Sequence, residues 1–333
     1  MFKSSRFFFV LLVSILVLSF LTTACGQASS PSDTPKTLTH VQLPMGYIPN
    51  IQYAPYYVAA EKGYFQEEGI EIEFDYKFET DGVALVGAGE RPFAVVSGEQ
   101  VPLARAQGLP IVYVAAWYQQ YPISVISKTE EGIQTPEDLK GKKIGLPGLF
   151  GANYVGLRAL LSVGGLTEDD VTLDSIGFNQ VEALASGQED AVVVYTANEP
   201  VQLRAQGYDL NEIRVADYVQ LASNGIITNE TLLETQPDFV RGMVRALLRG
   251  VADTIADPDE AYDISKKYVE NLDNADENVQ KEILNISIEM WRADPLGYSD
   301  AEAWKNMQSV LLNMGLLTQP IQIENAFTND FLP

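Results

Sequence analysis

Between residues 40 and 216, short runs of β-branched and aliphatic residues alternate with helix-patterned stretches, in two successive sets. The first set of runs is 40–45, 70–76, 93–96 and 111–116; the second is 143–146, 171–176, 191–195 and 213–216. Strands separated by a helix's length of chain cannot close hairpins. They are joined by crossovers, so each set predicts a parallel or mixed sheet with helices on its faces. Tyr57, Val58, Ala60 and Tyr64 recur at helical spacing and predict a helix over 54–67, stopped by Gly69. Other helices begin near Ala152, Gln180 and Glu199. Beyond Asn224 and Gly225 the character changes, and 237–253, 258–271, 277–292 and 300–314 read as amphipathic helices. Asp257 ahead of Pro258 is a cap followed by a first-turn proline. Two extended crossings, 122–127 and 222–228, link the sets and read as hinge strands. The expected fold class is therefore α/β: two lobes joined by two hinge strands, with a helical C-terminal part. Lobe 1 would comprise 38–125 and 226–333, and lobe 2 would comprise 126–225. Open α/β sheets bind ligands outside the carboxyl ends of their strands. Two such lobes face each other across a cleft, and hinge bending closes it.

The N-terminal stretch bounds where such a chain works. Lys3 and Arg6 precede an apolar run over 7–21, then come Thr22, Thr23, Ala24 and Cys25, and a Ser/Pro/Thr-rich stretch to Thr37. A cationic start, a short apolar core and a small residue before the cut mark a secretory signal. The run is shorter than the ~20 residues a spanning helix needs. Residues 1–24 are expected to be a leader and 25–37 a flexible linker. Cys25 is the chain's one cysteine, and its setting resembles a bacterial lipobox, with Thr22 where an aliphatic residue is usual and Leu21 one place earlier. The expectation is an exported protein, lipid-anchored to the cell membrane through Cys25 and facing the periplasm or the cell exterior. With no second cysteine, no internal disulfide is available, and packing must stabilise the fold. The formal charge of −23 makes nucleic acid and anionic membrane poor partners. His40, the sole histidine, stands at the start of the first strand. A histidine triad, a zinc site or a haem pocket is thereby excluded, and no metal is expected. There is no repeat of the length that builds solenoids, and a monomer is expected.

Several runs are recognisable together: YIPN at 47–50, YYVAAEKGYF at 56–65, EGIEI at 68–72, SGEQ at 97–100, ARAQGLP at 104–110 and TPEDLKGKKIG at 135–145. They resemble the substrate-binding proteins of ABC importers. The subgroup is the one related to the fungal thiamine-pyrimidine synthase, which also contains binders of sulfonates, pyrimidines and flavins. The resemblance covers 41–228 and, in general character, the helical tail. It implies the type II periplasmic-binding-protein fold and an ABC permease with its ATPase as partners. It also implies a small heteroaromatic ligand that is transported, not a cofactor. Within the subgroup, 47–50, 79–81, 97–100 and Trp117-Tyr118 are most similar to binders of riboflavin, with binders of the formyl-aminopyrimidine precursor of thiamine next. The pyrimidine synthases of this family consume an active-site histidine and use a cysteine-rich iron segment. His40 and Cys25 match neither, so the resemblance implies a binder with no catalytic residues. An acid–base carboxylate pair drawn from Asp81, Glu99 and Glu199 is the enzymatic alternative. A structural surface lipoprotein is the third, and it would leave a hinged cleft idle.

A flat heteroaromatic ligand needs aromatic faces for stacking and a few placed polar groups for its edge. Loops following the strands supply both. Tyr47, Asn50 and Tyr53 follow the first run, Thr80 and Asp81 the second, Ser97 and Glu99 the third, and Trp117 and Tyr118 the fourth. For Tyr53 the competing role is packing of its helix on the sheet. Neighbouring strand residues point to opposite faces, so one of Trp117 and Tyr118 should face the cleft, Trp117 being favoured. In the second set, a glycine-bearing turn leads into Asn153 and Tyr154, where free helix-start amides suit acceptor oxygens or anions. Tyr195, Asn198 and Glu199 precede and include the start of a helix marked by Pro200. Asn198 and Glu199 either cap that helix or meet the ligand, with Glu199 accepting from ring N–H or ribityl hydroxyl groups. Asn224, at the second crossing, completes the set.

Overall fold

The computed structural model describes residues Thr37–Pro333. The expected leader over 1–24, Cys25 and the linker up to residue 36 lie outside the described residues. Among the described residues ten strands form three sheets. β1 (Thr39–Pro44) and β2 (Ile70–Asp75) pair in parallel. β3 (Ala94–Val96) and β4 (Ile111–Ala116) flank β10 (Gly225–Asn229), which runs antiparallel to both. The remaining strands are β5 (Ile123–Lys128), β6 (Lys143–Leu146), β7 (Thr172–Ser175), β8 (Ala191–Tyr195) and β9 (Leu210–Arg214). They make one sheet in the order β7-β6-β8-β5-β9, with β6 parallel to β7 and β8 and β5 antiparallel to β8 and β9.

The two extended crossings are the strands β5 and β10, each built into the sheet it enters. The chain passes between the sheet systems at 117–122 and again at 215–224. β4 and β8 read as unbroken apolar runs because both of their faces are buried. β2 alternates instead, and its outward Glu71 and Glu73 lie 3.7 and 3.1 Å from the ring of His40 on β1. The sole histidine is therefore an exposed edge residue.

Helices are α1 (Ala54–Glu61), α2 (Tyr64–Glu67), α3 (Glu79–Gly87) and α4 (Gln100–Ala106) around the first strands. α5 (Gly151–Val163), α6 (Gln180–Ala185) and α7 (Glu199–Ala205) accompany the five-stranded sheet. The C-terminal part is α8 (Glu230–Thr235), α9 (Pro237–Ala256), α10 (Pro258–Ser265), α11 (Glu277–Trp291) and α12 (Ala301–Asn313). The helix expected over 54–67 is two, because Gly63 adopts φ +76°, which a continuing right-handed helix does not allow. Asp257 caps α10 by accepting from the Glu260 N–H at 2.9 Å. That helix stops at Ser265, short of the expected 271, and Asn271 then takes a left-handed φ of 61°.

One core lies between β1, α1 and α9–α11 and includes Trp117 and Tyr118. Its tightest approach is at Gly250, where an added Cβ would sit 2.1 Å from the Pro55 carbonyl oxygen on α1. A second core joins β3, β4 and β5 to α5 and α12, where Trp304 stacks on Phe327 at 5.3 Å and meets Tyr113 edge-on at 5.0 Å. Among the described residues no helix is long and apolar enough to cross a membrane.

Candidate functional site

The loops that leave β1–β4 and those that leave β6–β8 face one another across a cleft. Its space, counted out into open solvent at the mouth, is about 940 Å³. Gly46, Tyr47, Asn50 and Tyr53 come from the loop and helical turn after β1; Glu79 and Thr80 open α3 after β2. The far wall is Pro147 with Phe150, Gly151, Ala152 and Asn153 at the entry to α5, Phe178 and Gln180 after β7, and Tyr195, Asn198 and Glu199 after β8. None of the lining residues is Lys, Arg or His.

The base of the cleft is aromatic. Trp117 stacks on Tyr53 at 5.2 Å and 24°, with Tyr56, Tyr118 and Trp291 around it at 5.2, 4.7 and 5.9 Å. Trp117 and Tyr118 both reach the cleft wall, contrary to the expectation of one. β4 ends at Ala116, and the N–H groups of both residues donate to the Asn224 carbonyl, at 2.9 and 3.0 Å. Consecutive amides aimed at one carbonyl across an antiparallel pair form a β-bulge, where two residues oppose one and strand alternation no longer applies. Tyr118 also accepts from Gln52 Nε2 at 3.0 Å.

At the mouth, two aromatic pairs bridge the opposing walls. Tyr47 meets Phe178 edge-on at 4.9 Å, and Phe78 meets Phe150 edge-on at 6.2 Å. Phe78, Phe150 and Phe178 are otherwise about half exposed.

Several polar groups of the wall are already hydrogen-bonded within the protein. The Glu199 carboxylate accepts from the Tyr195 N–H and from Asn198 Nδ2, each at 3.0 Å. Asn198 Oδ1 accepts from Gln202 Nε2 at 3.0 Å, and no side chain bonds an amide of α7's first turn in the capping manner. Burial pushes Glu199 up to about 7, against its hydrogen bonds. Burial first, and the Glu199 charge second, raise the Tyr47 phenol far above its ordinary range. Asn224 Nδ2 donates to the Tyr195 hydroxyl at 3.2 Å. Two buried atoms on the wall, Trp117 Nε1 and Asn224 Oδ1, have no hydrogen-bond partner among the described residues. Such atoms are costly to bury unpaired and mark where a ligand's donors and acceptors fit.

Not every expected residue lines the cleft. Asp81 is exposed, because α3 begins at Glu79 and turns its third residue to solvent. The Tyr154 hydroxyl donates to Glu168 at 2.7 Å and accepts from Arg158 at 2.8 Å, which draws it along the far side of α5. Asn153 lines the wall, yet its amide donates to the Val193 carbonyl at 3.1 Å and ties α5 to β8. Ser97 and Glu99 are fully buried behind the wall and reach the cleft through Glu79. Gly98 is required there, since a Cβ would lie 2.3 Å from the Ala222 carbonyl oxygen. Burial, then the neighbouring Glu99, push Glu79 up to about 8. Sequence reasoning missed Gln52, Phe78, Glu79, Phe150 and Phe178. The post-strand rule that found Tyr47 also points to Phe78 and Phe178, each three residues beyond its strand.

Among the described residues no cluster of three or more His, Cys, Asp or Glu could hold a metal. The family model described as NMT1/THI5 like matches residues 50–261. The riboflavin-binding protein RibY of Chloroflexus aurantiacus is 42% identical, covering 97% of this chain and 97% of that protein. The formylaminopyrimidine-binding protein of Halalkalibacterium halodurans is 31% identical, over 94% of this chain and 97% of its own length. Both of these relatives are named as binding proteins. Among solved structures, the periplasmic aliphatic sulphonate binding protein SsuA from Escherichia coli superposes with a TM-score of 0.71 at 14% identity, covering 87% of this chain and 92% of that one. The chain belongs to the NMT1/THI5-like family, and its fold is that of the type II periplasmic binding proteins.

Proposed function

We propose that the protein is the solute receptor of an ABC importer and that its ligand is a flavin, riboflavin. The observation that carries this reading is the cleft itself. An aromatic base and mouth surround a small set of placed polar atoms, with no cation on the wall. That is the surface a flat, uncharged heteroaromatic molecule requires. Full-length similarity to a protein named as riboflavin-binding supports the choice of flavin. In this reading the isoalloxazine lies among Tyr47, Tyr53 and Trp117. Trp117 Nε1, Asn224, Tyr195 and Glu199 hydrogen-bond its edge and ribityl chain. Lobe 1, at 38–125 and 226–333, closes on lobe 2, at 126–225. Tyr47 with Phe178, and Phe78 with Phe150, join the walls over the ligand. The loaded receptor delivers riboflavin to the permease, and no chemistry is performed. Lipidated Cys25 holds it at the membrane. A Cys25→Ser variant recovered from the medium or periplasm, with wild type in the membrane fraction, is the expected result. Equal partition of the two would refute the anchor.

The deciding experiment is the visible spectrum of the purified protein followed by titration with riboflavin. A yellow protein, or flavin fluorescence quenched to saturation at one equivalent, is expected. Unchanged fluorescence at all ratios would refute the flavin. The second reading, formylaminopyrimidine, rests on the similarity to its named binder, and the same preparation tests it by calorimetric titration.

A further inference from the structure

A buried acid cluster behind the cleft wall has no part in ligand capture as described so far. Ser97 Oγ stands 2.5 Å from Glu79 Oε2 and makes a second short contact with Glu99 Oε1. A hydroxyl has one hydrogen and donates one hydrogen bond. If both carboxyls were ionised, one of these short oxygen–oxygen contacts would contain no hydrogen, between like charges. Carboxyls that share a site in this way retain a proton.

The surroundings indicate which group keeps it. Glu99 Oε1 also accepts from Gln100 Nε2 at 3.2 Å, so Glu99 gathers more donors than Glu79, which has those of Ser97 alone. Its Oε2 faces the Tyr121 hydroxyl at 3.5 Å, and that hydroxyl has the Ala152 carbonyl as its nearer acceptor, at 3.1 Å. The order of donation is then Glu79 to Ser97 and Ser97 to Glu99. Tyr53, Tyr121 and Tyr195 face the cluster from the turn after β1, the segment after β4 and the end of β8. Burial keeps all three phenols neutral. Glu199 lines the same cleft from α7, and no Lys, Arg or His on the wall offsets a further negative charge. Burial raises Glu79 and Glu99 alike.

We propose that Glu79 and Glu99 share a single proton through Ser97, so that Glu79 meets the ligand as an uncharged acid and sets the cleft's selectivity for an uncharged ligand. The inference rests on reading the cleft as the ligand site. Glu79 is the residue in contact with the cleft; Ser97 and Glu99 are positioning residues that act through it. When the pH rises far enough to remove the proton, a second negative charge appears on the wall. The serine can then donate to only one of the two carboxylates, and the other short contact sets two oxygens against each other with no hydrogen between them. Capture weakens on the alkaline side.

The test has two arms on the full protein. In the first, infrared spectra of the ligand-free protein are recorded across pH. The carboxylic-acid carbonyl band should persist through neutral pH, well above the ordinary carboxylate range, and Glu79→Gln should remove intensity from it. The wild-type titration needs no variant to fold. In the second arm, riboflavin affinity is measured between about pH 7 and 9. It should fall, approaching tenfold per pH unit for one coupled proton, and Glu79→Gln should flatten that slope. Absence of the acid band at neutral pH overturns the proposal whatever the flavin does. A band with a flat affinity profile overturns the link to selectivity. A band that Glu79→Gln diminishes, with no riboflavin binding at any pH, supports the shared proton and refutes the flavin assignment.

Discussion

The contact between Tyr47 and Phe178 offers a direct measure of closure. Tyr47 belongs to the loop after β1 and Phe178 to the loop after β7, so the pair joins two different sheets. Their rings meet at 4.9 Å and 81°, the edge-to-face arrangement in which an aromatic pair contributes about 0.5–1.5 kcal/mol beyond its buried area. At about 1.4 kcal/mol per decade of affinity, a pair made only when the proposed lobes close would account for roughly a two- to twelvefold factor in ligand binding. Tyr47→Ala and Phe178→Ala each lose that factor together with whatever the ring gives the ligand, so neither alone isolates it. The double-mutant cycle does, because the pair is lost only once in the double variant. Riboflavin fluorescence titrations of the four proteins should give a coupling within that range, and stopped-flow should place most of it in the dissociation rate. Phe178 is 48% exposed, so its truncation should leave the thermal midpoint near wild type. Strictly additive effects on affinity would refute the assignment of these rings as a contact across the closed cleft.

Trp117→Ala should cost roughly 3–5 kcal/mol of stability as well as affinity, because the ring is 4% exposed and surrounded by four other aromatics; an unchanged denaturant midpoint would show that the ring is not part of the core. Glu199 is held up to about 7 by burial, so the native state binds more protons than the unfolded chain between about pH 4.5 and 7, and its contribution lowers stability as pH rises through that window. Glu199→Gln should flatten the pH dependence of the thermal midpoint there, and an unaltered slope would contradict the burial argument. Riboflavin 5′-phosphate should bind at least roughly tenfold more weakly than riboflavin, since like-charge juxtaposition in a desolvated site is costly and the cleft wall has acids and no cations; equal affinities would show that the amides at the start of α5 neutralise the phosphate.

What the sequence made legible is what period and punctuation encode. β4 and β8 are unbroken apolar runs, and each was found within a residue of its observed ends because a strand covered on both faces has no other composition. Asp257 announced α10 through one side chain and one proline. Boundaries failed where a single backbone angle decides them. Gly63 is one of 25 glycines, and its left-handed conformation splits a helix whose apolar spacing runs straight through it. The walls of the cleft were legible to the extent that position after a strand predicts them, which placed Tyr47, Trp117, Tyr195 and Glu199 on the wall.

Chemistry within the site was harder to read, for a different physical reason. Asp81 and Glu79 are two residues apart and both acidic, yet the first turn of α3 sends one to solvent and the other onto Ser97. Composition ranks them equally; only the helix start separates them. Ser97 and Glu99 were expected to touch the ligand, and their burial redirects them to a neighbour that pattern reading passed over. Partnership of this kind depends on Gly98, whose missing Cβ lets the loop close against the Ala222 carbonyl oxygen and brings residues 18 positions apart into hydrogen-bond contact. Replacing Gly98 with alanine should therefore disturb the acid cluster before it disturbs the fold. The shared proton's infrared band should shift or vanish while the far-ultraviolet spectrum is retained. An unaltered band in a folded Gly98→Ala protein would show that the cluster is held by α3 rather than by the loop after β3.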